Sequence, residues 1–269
     1  MQYIIDSHCH IYPTGIARKA VKAIDTFYDG LPADPYDGTA ETLARTGRES
    51  GISHFIVHSV ATKPEQVSHI NQFLAEAVSA SGGRFTGLGT MHPDARSLRK
   101  DLEELCALGL KGVKLHPDIQ KYFANSTGAM KIFELCEDKG IPVLVHTGDF
   151  RYDYSNPNRV AEVLRTFPKL KFIGAHLGGW SVWKDALRVL PDYPNILVDT
   201  SSSSFWLKKE EMKEIIRAYG SERVMFGTDY PMWSQDREIS FLNSLDLSGD
   251  ELEDIYWRTC KNLYDITLE

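Results

Sequence analysis

The chain is short of cysteine and has no paired cysteines. Cys9, Cys106, Cys136 and Cys260 lie far apart, with no Cys-x-x-Cys motif, in a chain of 269 residues that is too long to need disulfide staples. They read as reduced thiols of a cytoplasmic protein. No apolar run approaches the ~18 residues of a membrane span. The opening Met-Gln-Tyr-Ile-Ile-Asp has neither the basic leader nor the apolar core of an export signal, so membrane and export are not expected. Basic residues are not in excess: 30 Lys and Arg against 37 Asp and Glu give a net charge of −7, which leaves no footprint for nucleic acid. A nucleophile elbow, a phosphate loop and low-complexity tracts are also missing. What is there, 42% hydrophobic and 25% charged residues, is the composition of a soluble globular protein with a large core.

Short β-branched runs at 3–7, 54–58, 85–90, 112–116, 143–146, 172–176, 196–199 and 224–228 each end in polar residues and precede a stretch of helical periodicity. Helices are predicted at 40–50, 65–79, 97–108 and 130–139, and Gly51, Gly109, Gly140 and Gly220 stand where helices stop. Leu98, Leu102, Leu105 and Leu108 form a stripe at 3,4 spacing, which is core. Eight βα units without an internal linker predict a single domain over 1–269, a (β/α)8 TIM barrel, with a doubly wound open sheet as the competing arrangement. Residues 11–38, rich in Pro, Gly, Asp and Tyr, are expected to form an extended first βα loop and a candidate lid, and 249–264 a closing C-terminal helix.

The chemistry gathers at the strand ends. His8 and His10 flank Cys9, and period-two alternation sends both imidazoles to one side while Cys9 faces away. His116, His146 and His176 each end an apolar strand, and Asp229 follows Val-Met-Phe-Gly-Thr at the eighth. In a parallel barrel all strand ends surround one mouth, so residues distant in sequence come within reach of one ion. Scattered structural histidines explain one such position better than four. Imidazole and carboxylate donors suit a divalent ion such as Zn2+, which lowers the pKa of bound water to about 7 and polarises carbonyls.

Asp6-Ser-His8-Cys-His10, Val143-Leu-Val-His146, Ala175-His176-Leu-Gly-Gly and Phe226-Gly-Thr-Asp229-Tyr-Pro together resemble the amidohydrolase superfamily. More narrowly they resemble its amidohydrolase-related branch, which includes metal-dependent hydrolases and aminocarboxymuconate-semialdehyde decarboxylase. The resemblance implies that His8, His10, His146 and Asp229 bind one metal, with His176 beside it as a catalytic residue and Asp229 doubling as a proton shuttle. Binuclear members carry a bridging carboxylated lysine or a glutamate at the end of strand four, where this chain places His116, which favours a single ion. Lys114 would lie one layer deeper as a core or hydrogen-bonded lysine. His116 is taken as facing the substrate, with a supporting role at the metal, a metal-ligand position and packing on Pro117 as its other readings. Arg151 is a candidate clamp for a substrate carboxylate or a solvated loop residue. Trp180 is a candidate cover for an apolar part of the substrate or a packing residue. Asp6 reads as a buried hydrogen-bonding group, and His54, His58, His69 and His92 as structural.

The leading expectation is a hydrolase of an amide, ester or lactone bond in a small polar metabolite, using metal-activated water. The alternative is nonoxidative decarboxylation of a small carboxylate at the same centre. A metal-free lactonase and a noncatalytic binding protein are further readings. The partner is a small molecule, and homodimerisation is a family expectation.

Overall fold

The computed structural model describes residues 3–30 and 35–268; positions 31–34 of the expected lid lie outside them. Eight strands follow one another as β1 (Ile5–His10), β2 (His54–His58), β3 (Phe85–Gly87, resuming at Gly89–Thr90), β4 (Val113–Leu115), β5 (Val143–Val145), β6 (Phe172–Gly174), β7 (Ile196–Asp199) and β8 (Val224–Met225). Neighbours pair in parallel in chain order. Across the interruption in β3, Leu88 N–H donates to Val57 O at 2.9 Å and Gly89 N–H to Gly112 O at 2.9 Å, so this strand bonds both neighbours. The ring returns on itself where Ser7 N–H donates to Phe226 O at 2.8 Å and His10 N–H to Tyr230 O at 2.7 Å. Asp6 reinforces that seam, accepting from Thr228 N–H at 3.0 Å and from its hydroxyl at 2.6 Å. This is the (β/α)8 barrel expected from the alternation of elements.

Period-two alternation sorts the strand side chains into two cores. Phe55, Val57, Val113, Leu115, Val143 and Val145 pack outward against the helices. Ile5, Ile56, Leu88, Leu144, Ile173 and Met225 fill the barrel interior with Cys260 and Tyr264 of the C-terminal helix. Each fully buried aliphatic side chain there contributes about 1.5–3 kcal/mol. Lys114 lies between the outward-facing Val113 and Leu115, so the same rule turns it inward. Gly51, Gly109, Gly140 and Gly220 all take positive φ just after helices, as their positions required.

Three differences have local causes. β1 extends to His10, because its later residues keep bonding to β2 and to the segment after β8. The first loop is not bare: it contains α1 (Ala17–Phe27), whose Ala17 and Val21 are buried. The C-terminal helix widens into a π turn over Asp254–Arg258, where Ile255 O accepts a 2.7 Å bond from Phe226 N–H and so ties the helix to the barrel. Among the described residues no helix is long and apolar enough to cross a membrane.

The loops after β5 and β6 touch at Gly148, which has φ +80° and where a Cβ would lie 2.7 Å from the Gly179 carbonyl carbon. Left-handed backbone costs a side chain ~1–2 kcal/mol and overpacking ~1–3. Gly148→Ala should therefore lower stability in urea by roughly 2–5 kcal/mol with an unchanged m-value. A second prediction concerns Glu238, which is buried, accepts a 2.6 Å bond from Ser204 and is pushed up to about 7 by burial. Its folded pKa exceeds the unfolded value, so the protonated carboxyl is favoured on folding. The corresponding stability is fully present below about 4.5 and lost as pH rises through about 7. Glu238→Gln should flatten that slope and melt higher than the parent at pH 8.

Candidate active site at the barrel mouth

The floor of the mouth is built around His8, which is wholly buried. Its Nδ1 lies 2.9 Å from Asp199 Oδ2 and 3.1 Å from Ser201 Oγ. Nδ1 therefore carries the proton, by assignment from the hydrogen-bond network, and Nε2 keeps its lone pair. That Nε2 faces Lys114 Nζ at 3.1 Å and Asp229 Oδ1 at 3.4 Å; His10 Nε2 is 3.5 Å from the same carboxylate oxygen. Asp229 accepts from Ser202 Oγ at 2.5 Å, and burial raises its pKa to about 6. Burial lowers Lys114 to about 8, opposed by the carboxylates of Asp199 and Asp229. Three of the four expected ligands thus meet.

His146, the fourth, meets His176 instead, with Nδ1 2.9 Å from His176 Nε2. His176 Nδ1 is committed to Ser201, 3.0 Å from its carbonyl and 2.9 Å from its hydroxyl, so Nε2 bears a lone pair. His146 Nε2 lies 3.2 Å from Gly148 O. Whichever nitrogen of His146 carries its proton, one lone pair faces another across a short contact. Burial holds both rings below the usual histidine range, His176 at about 4. A proton is thus a poor remedy for that conflict, and a cation is a good one.

His116 stacks on His146 with centroids 3.9 Å apart. Its Nδ1 accepts from Ile119 N–H at 3.3 Å, which leaves Nε2–H to donate to Tyr28 Oη at 3.2 Å. His10, Lys114, His116, His146, His176 and Asp229 line one cavity of about 270 Å³, and its other walls are largely apolar, including Ala20, Ala23, Ile24 and Phe27 of α1.

Arg151 and Trp180 lie outside that lining. Arg151 grips Asp149 in a fork, Nε to Oδ1 at 3.0 Å and Nη2 to Oδ2 at 2.7 Å, and donates from Nη1 to Phe27 O at 2.6 Å. The rings of Phe27, Tyr28, Tyr152 and Trp180 surround its guanidinium. Trp180 packs edge-on against Tyr28 at 4.9 Å.

The residues present fit a divalent ion. His8 has its outer nitrogen held by a carboxylate, the arrangement that orients a metal-ligating histidine, while the buried His10 Nδ1 has no partner among the described residues. His8, His10 and His58 form one cluster of potential ligands, His8, His176 and Asp199 a second, and His116, Asp118 and His146 a third. Asp199, Tyr28 and Asp118 were not singled out from the sequence, whereas Ser201 and Ser202 belong to the run 201–204, read there either as a polar loop touching substrate or as turn and capping chemistry. Asp199 was the findable one, since it ends a strand as the histidines do. The serines lie in a polar run that reads equally as turn chemistry.

An amidohydrolase family model matches residues 5–266. The gamma-resorcylate decarboxylase of Polaromonas sp. strain JS666 is 23% identical over 250 residues, covering 75% of this chain and 77% of that protein. The 2-amino-3-carboxymuconate-6-semialdehyde decarboxylase of Dictyostelium discoideum is 25% identical over 199 residues, covering 61% of this chain and 55% of that one. A dihydroxybenzoic acid decarboxylase from Polaromonas sp. JS666, solved with manganese and 2-nitroresorcinol, shares the fold at a TM-score of 0.72, with 15% identity and 98% and 97% coverage. With a match from β1 to the C-terminal helix, and with histidines and an aspartate at the barrel mouth, the chain belongs to the amidohydrolase family.

Proposed function

We propose that this protein is a metal-dependent nonoxidative decarboxylase of a small, flat, unsaturated carboxylate. The observation that carries the reading is the two-sided cavity, in which a floor of histidines, Lys114 and Asp229 lies beneath the apolar side chains of α1. Sequence reasoning put hydrolysis first; the order reverses because both curated relatives named above are decarboxylases. His8, His10, Asp229 and His146 would hold the ion. Zn2+ and Mn2+ both suit such donors, and manganese is the ion in the related solved structure. When bound, the ion supplies a fixed positive charge that draws substrate oxygens to the floor.

The chain's own groups account for the rest of the reaction. The bond between the substrate carbon and its carboxylate breaks, the electron pair stays on that carbon, and a proton must replace the CO2 that leaves. Asp229 lines the cavity, with one oxygen turned to the imidazoles of His8 and His10 and the other held by Ser202, so it is the residue assigned to deliver it. His176, anchored by Ser201 and by its own N–H to Asp199 at 3.0 Å, lines the cavity and orients the substrate. His116 offers its Nε2–H to a substrate oxygen in place of Tyr28. Arg151 acts as a positioning residue: through Phe27 O and four rings it holds the end of α1 over the cavity.

Two measurements check this reading. Protein purified without added metal should contain near-stoichiometric divalent metal by elemental analysis and lose it in His8→Ala/His10→Ala. With a panel of hydroxybenzoates and unsaturated dicarboxylates it should release CO2, and Asp229→Asn should slow that release ~100-fold or more. Ester or lactone hydrolysis without CO2 would reject the decarboxylase, and a metal-free active protein would reject the metal centre. Separately, Arg151→Met should raise KM more than it lowers kcat, because it loosens α1 without removing a reacting group. A pure kcat loss would place Arg151 in the chemistry instead.

A further inference from the structure

His58 ends β2 beside the metal-ligand candidates, although nothing in its sequence context marks it as functional. Its Cα pairs in register with that of His10. The ring is fully buried and edge-on to two imidazoles, with centroids 4.8 Å from His8 and 4.4 Å from His10. Neither its Nδ1 nor its Nε2 has a hydrogen-bond partner among the described residues, and His10 Nδ1 beside it is also unpartnered. A buried polar group left this way costs about 1–3 kcal/mol. A structural role gives no return for that cost, since a leucine would fill the space and need no partner. In either tautomer imidazole leaves one ring nitrogen with a lone pair to give. One potential ligand atom from each of His8, His10 and His58 falls within 4.8 Å of the others.

We infer that His58 is a further ligand of the divalent ion, held with His8 and His10, an assignment that rests on the metal-dependent reading above. It makes the centre richer in histidine than the motif alone implies. It also accounts for an imidazole in the barrel interior that neither packs as an apolar residue nor hydrogen-bonds as a polar one.

The test uses the full chain stripped of metal and titrated with Co2+, read by visible absorption, by competition with a chelator and by thermal melting with and without the ion. The parent should bind Co2+ with a visible band and a raised melting temperature. His58→Leu should weaken Co2+ affinity roughly 10–100-fold, shift the band and reduce the metal-induced rise in melting temperature. In chelator it should melt no lower than the parent, because the unpartnered ring is gone. Unchanged affinity and spectrum, with a lower melting temperature in chelator, would overturn the assignment and make His58 a packing residue. His58→Gln carries the same test should the leucine variant not fold. A parent chain that takes up no Co2+, Zn2+ or Mn2+ would instead sink the metal-dependent reading itself.

Discussion

One buried carboxylate holds the mouth of this barrel together. Asp199 sits at the end of β7, and its Oδ2 takes the Nδ1 of His8 from β1. Its Oδ1 takes the backbone N–H of His176 after β6 and of Ser201, together with the Ser201 hydroxyl. A single side chain thereby fixes the tautomer of one histidine, the backbone of a second and the hydroxyl that contacts both. His176 and Leu177 have φ of 59° and 56°, and Ser202 and Asp229 have 49° and 61°, all left-handed without being glycine. Such residues cost of order 1–3 kcal/mol each and persist only where their surroundings over-determine them. Here the Asp199 network holds the first pair. The second is held by the Ser202–Asp229 bond, with Trp233 Nε1–H donating to Ser202 Oγ at 2.7 Å.

The same barrel interior has two climates. Its lower part is an apolar plug of Ile5, Ile56, Leu144 and Ile173; its upper part collects imidazoles, Lys114, Asp199 and Asp229. Charges taken from water must be paired or must shift their protonation. Lys114 does both: two carboxylates compensate it, yet burial still pulls its pKa down to about 8. One unmatched lone pair of His146, facing either His176 Nε2 or Gly148 O according to the tautomer, persists after every protein donor has been assigned. That residue of unmet polarity is what a bound cation would satisfy.

Much of this was legible in the sequence because barrels obey short-range rules. Alternation within β1 separated His8 and His10 from Cys9, and the apolar runs before His116, His146 and His176 marked strand ends that converge. Other features depend on distance through space. Arg151 reads as a free loop cation until the fold brings Phe27, from more than a hundred residues earlier, onto it. His58 reads as a structural histidine because nothing local reveals that its ring nitrogens end without partners. The helix α1 escaped notice because its buried face is short, only Ala17 and Val21, in a segment whose neighbours carry turn residues.

That unseen helix bears on the choice of reaction. Hydrolysis needs water as a reactant at the floor, whereas decarboxylation converts a charged carboxylate into neutral CO2 and gains from a poorly solvating roof. Ala20, Ala23, Ile24 and Phe27 present no polar side chain to the cavity they line. Arg151 holds the end of their helix in place while its guanidinium is already satisfied by Asp149 and Phe27 O. With Arg151 spent on the roof, the cation that lines the cavity is Lys114 at the floor, and on the proposed reading a substrate carboxylate would meet positive charge there. The bond to be broken would then lie next to Asp229, and the apolar remainder of the substrate would lie against α1.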